Sequence, residues 1–150
     1  MIGASFRNLP PNARRLGLLG LSPQAFAVVN ALVPDYRFIA LSAGFFYAAL
    51  IFSFVGGVWW GIASGRGDTP AWLYGAAVMP SLIAFGSGVP WMIGATWPWP
   101  SLAVLGTGLL LSPLIDRQLL TKKLISKDFF SFRLLLSSGL GALTCVMVWL

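Results

Sequence analysis

The sequence contains no histidine and no glutamate, and it has one cysteine and four aspartates in 150 residues. Each shortage excludes something. Without His, the commonest general base, haem ligand and zinc ligand are all missing. A lone Cys145 within an apolar run cannot form an intrachain disulfide and reads as a small hydrophobe. Charge is scarce as well, at 9% of residues against 57% hydrophobic, with a mean hydropathy of +0.82. This composition lies outside that of soluble globular proteins. The four Asp residues all fall near the ends of apolar runs, so no charge sits mid-membrane, where proton pumps and many transporters need one. No catalytic, cofactor-binding or metal-binding residue is assigned, and no cofactor is expected.

What remains is apolar chain sufficient for about five transmembrane helices in an all-α bundle, a single domain over residues 1–150. The spans read as 16–33, 38–63, 71–89, 101–115 and 132–150. The first has the outline of a signal peptide, with Arg14 and Arg15 ahead of it and Val29-Asn30-Ala31 as a passable cleavage site; it is read as a retained span or anchor. Pro23 predicts a kink there. The fourth, at fifteen residues, covers roughly 22 Å of a core about 30 Å thick. It must extend to residue 120, which draws Asp116 and Arg117 into the interface. A carboxylate at that depth wants a partner, and Arg133 enters the last span at the same level, so Asp116 and Arg133 form a candidate ion pair, with Arg117 as the alternative partner if the span unwinds after Pro113.

With these spans, Arg7, Arg14, Arg15, Arg66, Arg117, Lys122, Lys123, Lys127 and Arg133 fall on one side and only Arg37 on the other. The positive-inside rule then places the N-terminus in the cytosol. It also accounts for the +6 net charge without nucleic acid, which is not an expected partner. The connection 114–127 mixes cations with apolar residues; positive-inside anchoring explains it better than a surface helix on anionic lipid. All seven tryptophans fall near an interface as amphipathic anchors: Trp59, Trp60 and Trp72 inside, Trp91, Trp97, Trp99 and Trp149 outside.

Polar residues within spans have plain readings. Gln24 and Asn30 are candidates for bonds between helices. The Ser81 hydroxyl is expected to bond the turn that Pro80 leaves open, since nothing near it in sequence can act as its base.

The densest pattern is Ser53-Phe54-Val55-Gly56-Gly57-Val58-Trp59-Trp60-Gly61. Ser53, Gly57 and Gly61 recur every four residues, and with Gly56 they form a surface on which another helix backbone can lie. Internal packing is the first reading of this surface and a face for another subunit the second. Ser137, Ser138, Gly139, Gly141 and Ala142 give the last span a similar surface.

The Ser-Phe-x-Gly-Gly-Val-x-Trp-Gly run resembles the signature of a family of small bacterial inner-membrane proteins, without established activity, related to mitochondrial transmembrane protein 69. The likeness continues through Leu16-Gly17-Leu18-Leu19-Gly20-Leu21, Pro80-Ser81-Leu82-Ile83-Ala84, Asp116-Arg117 and Arg133-Leu134-Leu135-Leu136. It implies a polytopic protein of about five helices in a bacterial inner membrane, with the mitochondrial inner membrane as the alternative. The adjacent Trp59-Trp60 and the Trp- and Pro-rich 90–100 segment depart from the pattern.

The functional expectation is a non-enzymatic accessory, assembly or scaffolding subunit of a larger inner-membrane complex. Its expected partners are membrane lipids and other integral membrane proteins. The alternative is a small-solute or lipid transporter, with kinked helices lining the path.

Overall fold

Two prolines set the beginning of the fold. In the computed structural model, which describes residues 9–66 and 68–150, α1 (Pro11–Leu19) starts on Pro11 and α2 (Ser22–Ala31) carries Pro23 in its first turn. Pro is favoured in a first turn because its missing N–H has no partner there anyway. Pro23 cannot bond the Leu19 carbonyl four residues back; the Ser22 hydroxyl does so instead, at 2.7 Å. The chain therefore breaks at Gly20-Leu21. The same device recurs at Pro113, where the Ser112 hydroxyl donates to the Leu109 carbonyl at 2.9 Å. There the helix continues.

After a short 3-10 turn (Pro34–Tyr36), the chain forms α3 (Arg37–Ser64), α4 (Trp72–Met92), α5 (Trp99–Thr121) and α6 (Lys127–Val146), ending in a second 3-10 turn (Met147–Trp149). These four long helices are apolar enough to cross a membrane. α3, with 28 residues, is about 42 Å long and crosses a core of about 30 Å only with tilt or overhang. α5 runs through Asp116 to Thr121, as the span-length argument requires.

The stretch expected as the first span comes in two pieces, neither long enough to cross alone, so among the described residues four helices, not five, have the length of a span. Together they follow α6 along its length. Gly17 packs on Phe132 and Leu136, Leu21 on Gly139, and Gln24 on Thr144 and Met147. The pair therefore runs parallel to α6. Helix order and direction put Arg14, Arg15, Arg66, Arg117, Lys122, Lys123, Lys127 and Arg133 toward one end and Arg37 at the other. Arg7 lies outside the described residues. Arg66 Nη1 ties the two connections at the cation-rich end by donating to the Lys123 carbonyl at 3.3 Å.

α4 and α5 end in the same cap. Ala95 N–H bonds the Pro90 carbonyl and Gly94 N–H that of Trp91; Leu124 bonds Leu119 and Lys123 bonds Leu120. This double closure needs a left-handed residue at its corner. α4 uses Gly94 (φ 69°) and α5 uses Lys123 (φ 57°), a side chain that disfavours that region.

The core is a seam of Leu102, Leu105, Leu109 and Leu119 from α5 against Phe45, Phe52 and Val55 of α3 and Leu73 of α4. The outside is equally apolar, with Leu50, Phe54, Leu82, Phe85 and Leu111 exposed. A helix bundle built for lipid looks like this, and its helices are held by close packing and interhelical polar bonds instead of the hydrophobic effect.

Candidate functional site

Close helix contacts come first, because they fix where the polar groups meet. α5 and α6 cross at Gly106 and Gly141. A Cβ at Gly106 would lie 2.6 Å from Cys145 Sγ, and one at Gly141 would lie 2.8 Å from Leu110 Cγ. Gly141 belonged to the small-residue surface read from the sequence; Gly106 did not, since it is in no four-residue repeat of small residues. α3 meets α4 at Gly56, where a Cβ would collide with the Ala77 carbonyl oxygen.

Gly57 and Gly61 do not take part. Among the described residues, a Cβ at either would meet nothing within 4 Å, and both residues are exposed. Internal packing, the first reading of these two, is therefore corrected. The α3 helix turns about 100° per residue, and it is Gly56 that faces α4. Ser53 also reaches α4: its Oγ lies 2.7 Å from Ser81 Oγ, which corrects the expectation that Ser81 bonds its own preceding turn.

At the cation-rich end, three helices converge on one carboxylate. Asp116 of α5 is 0% exposed. Its Oδ2 accepts from Arg133 Nε of α6 at 3.2 Å, and its Oδ1 accepts from Trp59 Nε1 of α3 at 2.7 Å. α6 is capped by Ser126, whose Oγ accepts from Phe129 N–H at 3.1 Å. Arg133 lies six residues inside that helix, about 9 Å from its first residue. The pair is therefore buried, and each carboxylate oxygen has a donor, which is what a charge in a low-dielectric interior requires.

Trp59 is thereby corrected from interface anchor to core residue, at 3% exposure with its indole N–H bound to Asp116. Trp60, Trp72, Trp91, Trp99 and Trp149 are exposed. Trp97 packs inward on Phe38, Phe45 and Trp91, with ring centroids 5.9, 5.6 and 6.2 Å apart. Its peptide bond to Pro98 is cis. A second polar tie sits toward the opposite end, where Gln24 Nε2 donates to Thr144 Oγ1 at 3.0 Å. Asn30 bonds only its own helix, through the Phe26 carbonyl at 2.7 Å.

The charge pair borders a cleft. A space of about 290 Å³ lies between the α1–α2 break, α3 and α6, walled by Leu16, Gly20, Phe54, Leu136 and Leu140 and floored by Leu109. Arg133 lines it, and Arg133 Nη2 is buried without a hydrogen-bond partner. Among the described residues, no three His, Cys, Asp or Glu side chains converge. Chemically, Asp116 with both oxygens occupied is a tie between helices, whereas Arg133 still has a donor to offer.

The fold and this centre define a polytopic α-helical membrane protein knit by a buried charge pair. A family model described as a protein of unknown function (DUF3429) matches residues 9–150, and the chain belongs to that family. No curated protein and no solved structure matches it.

Proposed function

We propose that this chain is a non-enzymatic accessory, assembly or scaffolding subunit of a larger inner-membrane complex, with its cation-rich end in the cytosol. The observation that carries the reading is the outward position of Gly57 and Gly61 on α3, its longest helix. Small residues one turn apart allow a helix of another protein to lie against the backbone, and nothing among the described residues uses them. Kinship with mitochondrial transmembrane protein 69 belongs to the same proposal and would extend the role to the mitochondrial inner membrane.

The test is co-purification in mild detergent with Gly57→Ile and Gly61→Ile. The wild-type chain is expected to bring a membrane partner that both variants lose while keeping their folded yield. Wild-type protein running alone at 16.1 kDa, or variants that hold the partner as well as wild type, would count against the role. The alternative, a small-solute or lipid transporter, is supported by the cleft beside the α1–α2 break. Directional movement of a labelled lipid in reconstituted vesicles would favour it.

A further inference from the structure

We infer that the cleft beside α1 and α2 is a binding site for one glycerophospholipid, whose acyl chain fills it and whose ester carbonyl accepts the free Arg133 N–H. Four observations lead there. The walls are apolar and branch-rich, formed by Leu16, Phe54, Leu136 and Leu140, and about 290 Å³ is enough for part of a hydrocarbon chain but not for a folded segment. Arg133 lines this space, is 8% exposed, and has an Nη2 with no partner. An unpaired charged donor in an apolar setting is costly, so an oxygen acceptor in the cleft would be bound strongly.

The Arg133 charge, moreover, is already balanced by Asp116 at 3.2 Å. A carboxylate or phosphate at Nη2 would bury a second anion beside the first, whereas a neutral carbonyl completes the guanidinium without adding charge. Depth selects among neutral carbonyls. Arg133 lies about 9 Å along α6 from its first residue. The polar zone on each side of the hydrocarbon core is about 5–8 Å thick, so with the first residue of α6 at its outer edge Arg133 would sit at its inner boundary, where glycerol esters lie. The site is independent of which protein partner the chain has.

The test compares two phosphatidylglycerols with identical headgroups and chains, one ester-linked and one ether-linked, by native mass spectrometry and thermal shift on delipidated full-length protein. Ether oxygens are poor acceptors, so the ester lipid should bind about tenfold tighter or better. At ten times its Kd it should raise Tm by about 3–6 °C. Leu136→Trp, which fills the cleft without touching the charge pair, should abolish both effects. Arg133→Lys should bind the two lipids equally if it folds; the Leu136→Trp and ether-lipid arms decide the matter if it does not. Equal affinity of ester and ether lipids for the wild type, an equal shift from hexadecane, or lipid retention undiminished in Leu136→Trp would each overturn the assignment. So would a short-chain quinone that displaces the lipid at lower concentration.

Discussion

Trp59 donates its indole N–H to Asp116 across 2.7 Å, joining α3 to the charge pair that links α5 and α6. One side chain thereby serves three helices, and its removal has a defined cost. Trp59→Phe deletes the donor to a charged acceptor and leaves a small cavity, so it should lose at least about 1.5–3 kcal/mol. Reversible SDS unfolding in mixed micelles measures this. A loss below about 0.5 kcal/mol would mean that Oδ1 finds another donor.

Asp116 and Arg133 should behave as a unit. Asp116→Asn can accept from only one of Trp59 Nε1 and Arg133 Nε and leaves a buried guanidinium uncompensated, a cost of about 3–5 kcal/mol. The double replacement Asp116→Leu with Arg133→Met removes both charges and should recover most of that loss. Additive costs of Asp116→Leu and Arg133→Met, measured singly and together, would show that the two groups are not coupled.

Gly56 and Gly57 are neighbours with opposite expectations. Gly56→Ala drives a methyl group into the Ala77 carbonyl and should cost about 1–3 kcal/mol through displaced α4 backbone. Gly57→Ala meets nothing and should be neutral or stabilising by up to about 1 kcal/mol. The order of the two midpoints in the same unfolding assay is the readout; the reverse order would place the α3–α4 contact elsewhere.

At the end of α5, Lys123 occupies a left-handed corner that α4 gives to Gly94. Lys123→Gly relieves a strain of about 1–2 kcal/mol and should raise the unfolding midpoint, while Gly94→Ala should lower it.

Which parts of this were legible in the sequence follows from the physics of lipid. Four of the five expected spans appear as helices long enough to cross, and the depth of Asp116 came from length alone, because fifteen residues cannot cross the core and extension carries Asp116 inward. The break between α1 and α2 was foreshadowed by Pro23, although the Ser22 hydroxyl that closes it was not. What stayed hidden is rotation about the helix axis. A soluble helix shows its inner face by its apolar stripe, but α3 is apolar all round, so nothing in its pattern distinguishes Gly56 from Gly57. Trp59 was hidden for the same reason: near a span end, an outward indole at the interface and an inward one on a carboxylate have the same sequence neighbourhood. Gly106 is recognisable only through its contact with Gly141, which joins distant parts of the chain.

Orientation remains the property on which the proposed role depends most directly. Eight of the described cations fall toward one end of the bundle, and that end carries the α1 start, the α3–α4 turn and the α5–α6 turn. Translocating such short basic connections is disfavoured, so this end should stay cytosolic. In a Cys145→Ala background, Ala95→Cys places a thiol in the exposed connection between α4 and α5, and Asp68→Cys places one in the opposite turn. A membrane-impermeant maleimide added to intact cells should label Ala95→Cys and spare Asp68→Cys, with the pattern reversing in inverted vesicles. Adding two arginines beside Ala95 should weaken that preference, because orientation is set by the difference in cations between the two sides. Labelling of Asp68→Cys alone from outside would invert the topology and put the Asp116–Arg133 centre in the outer leaflet.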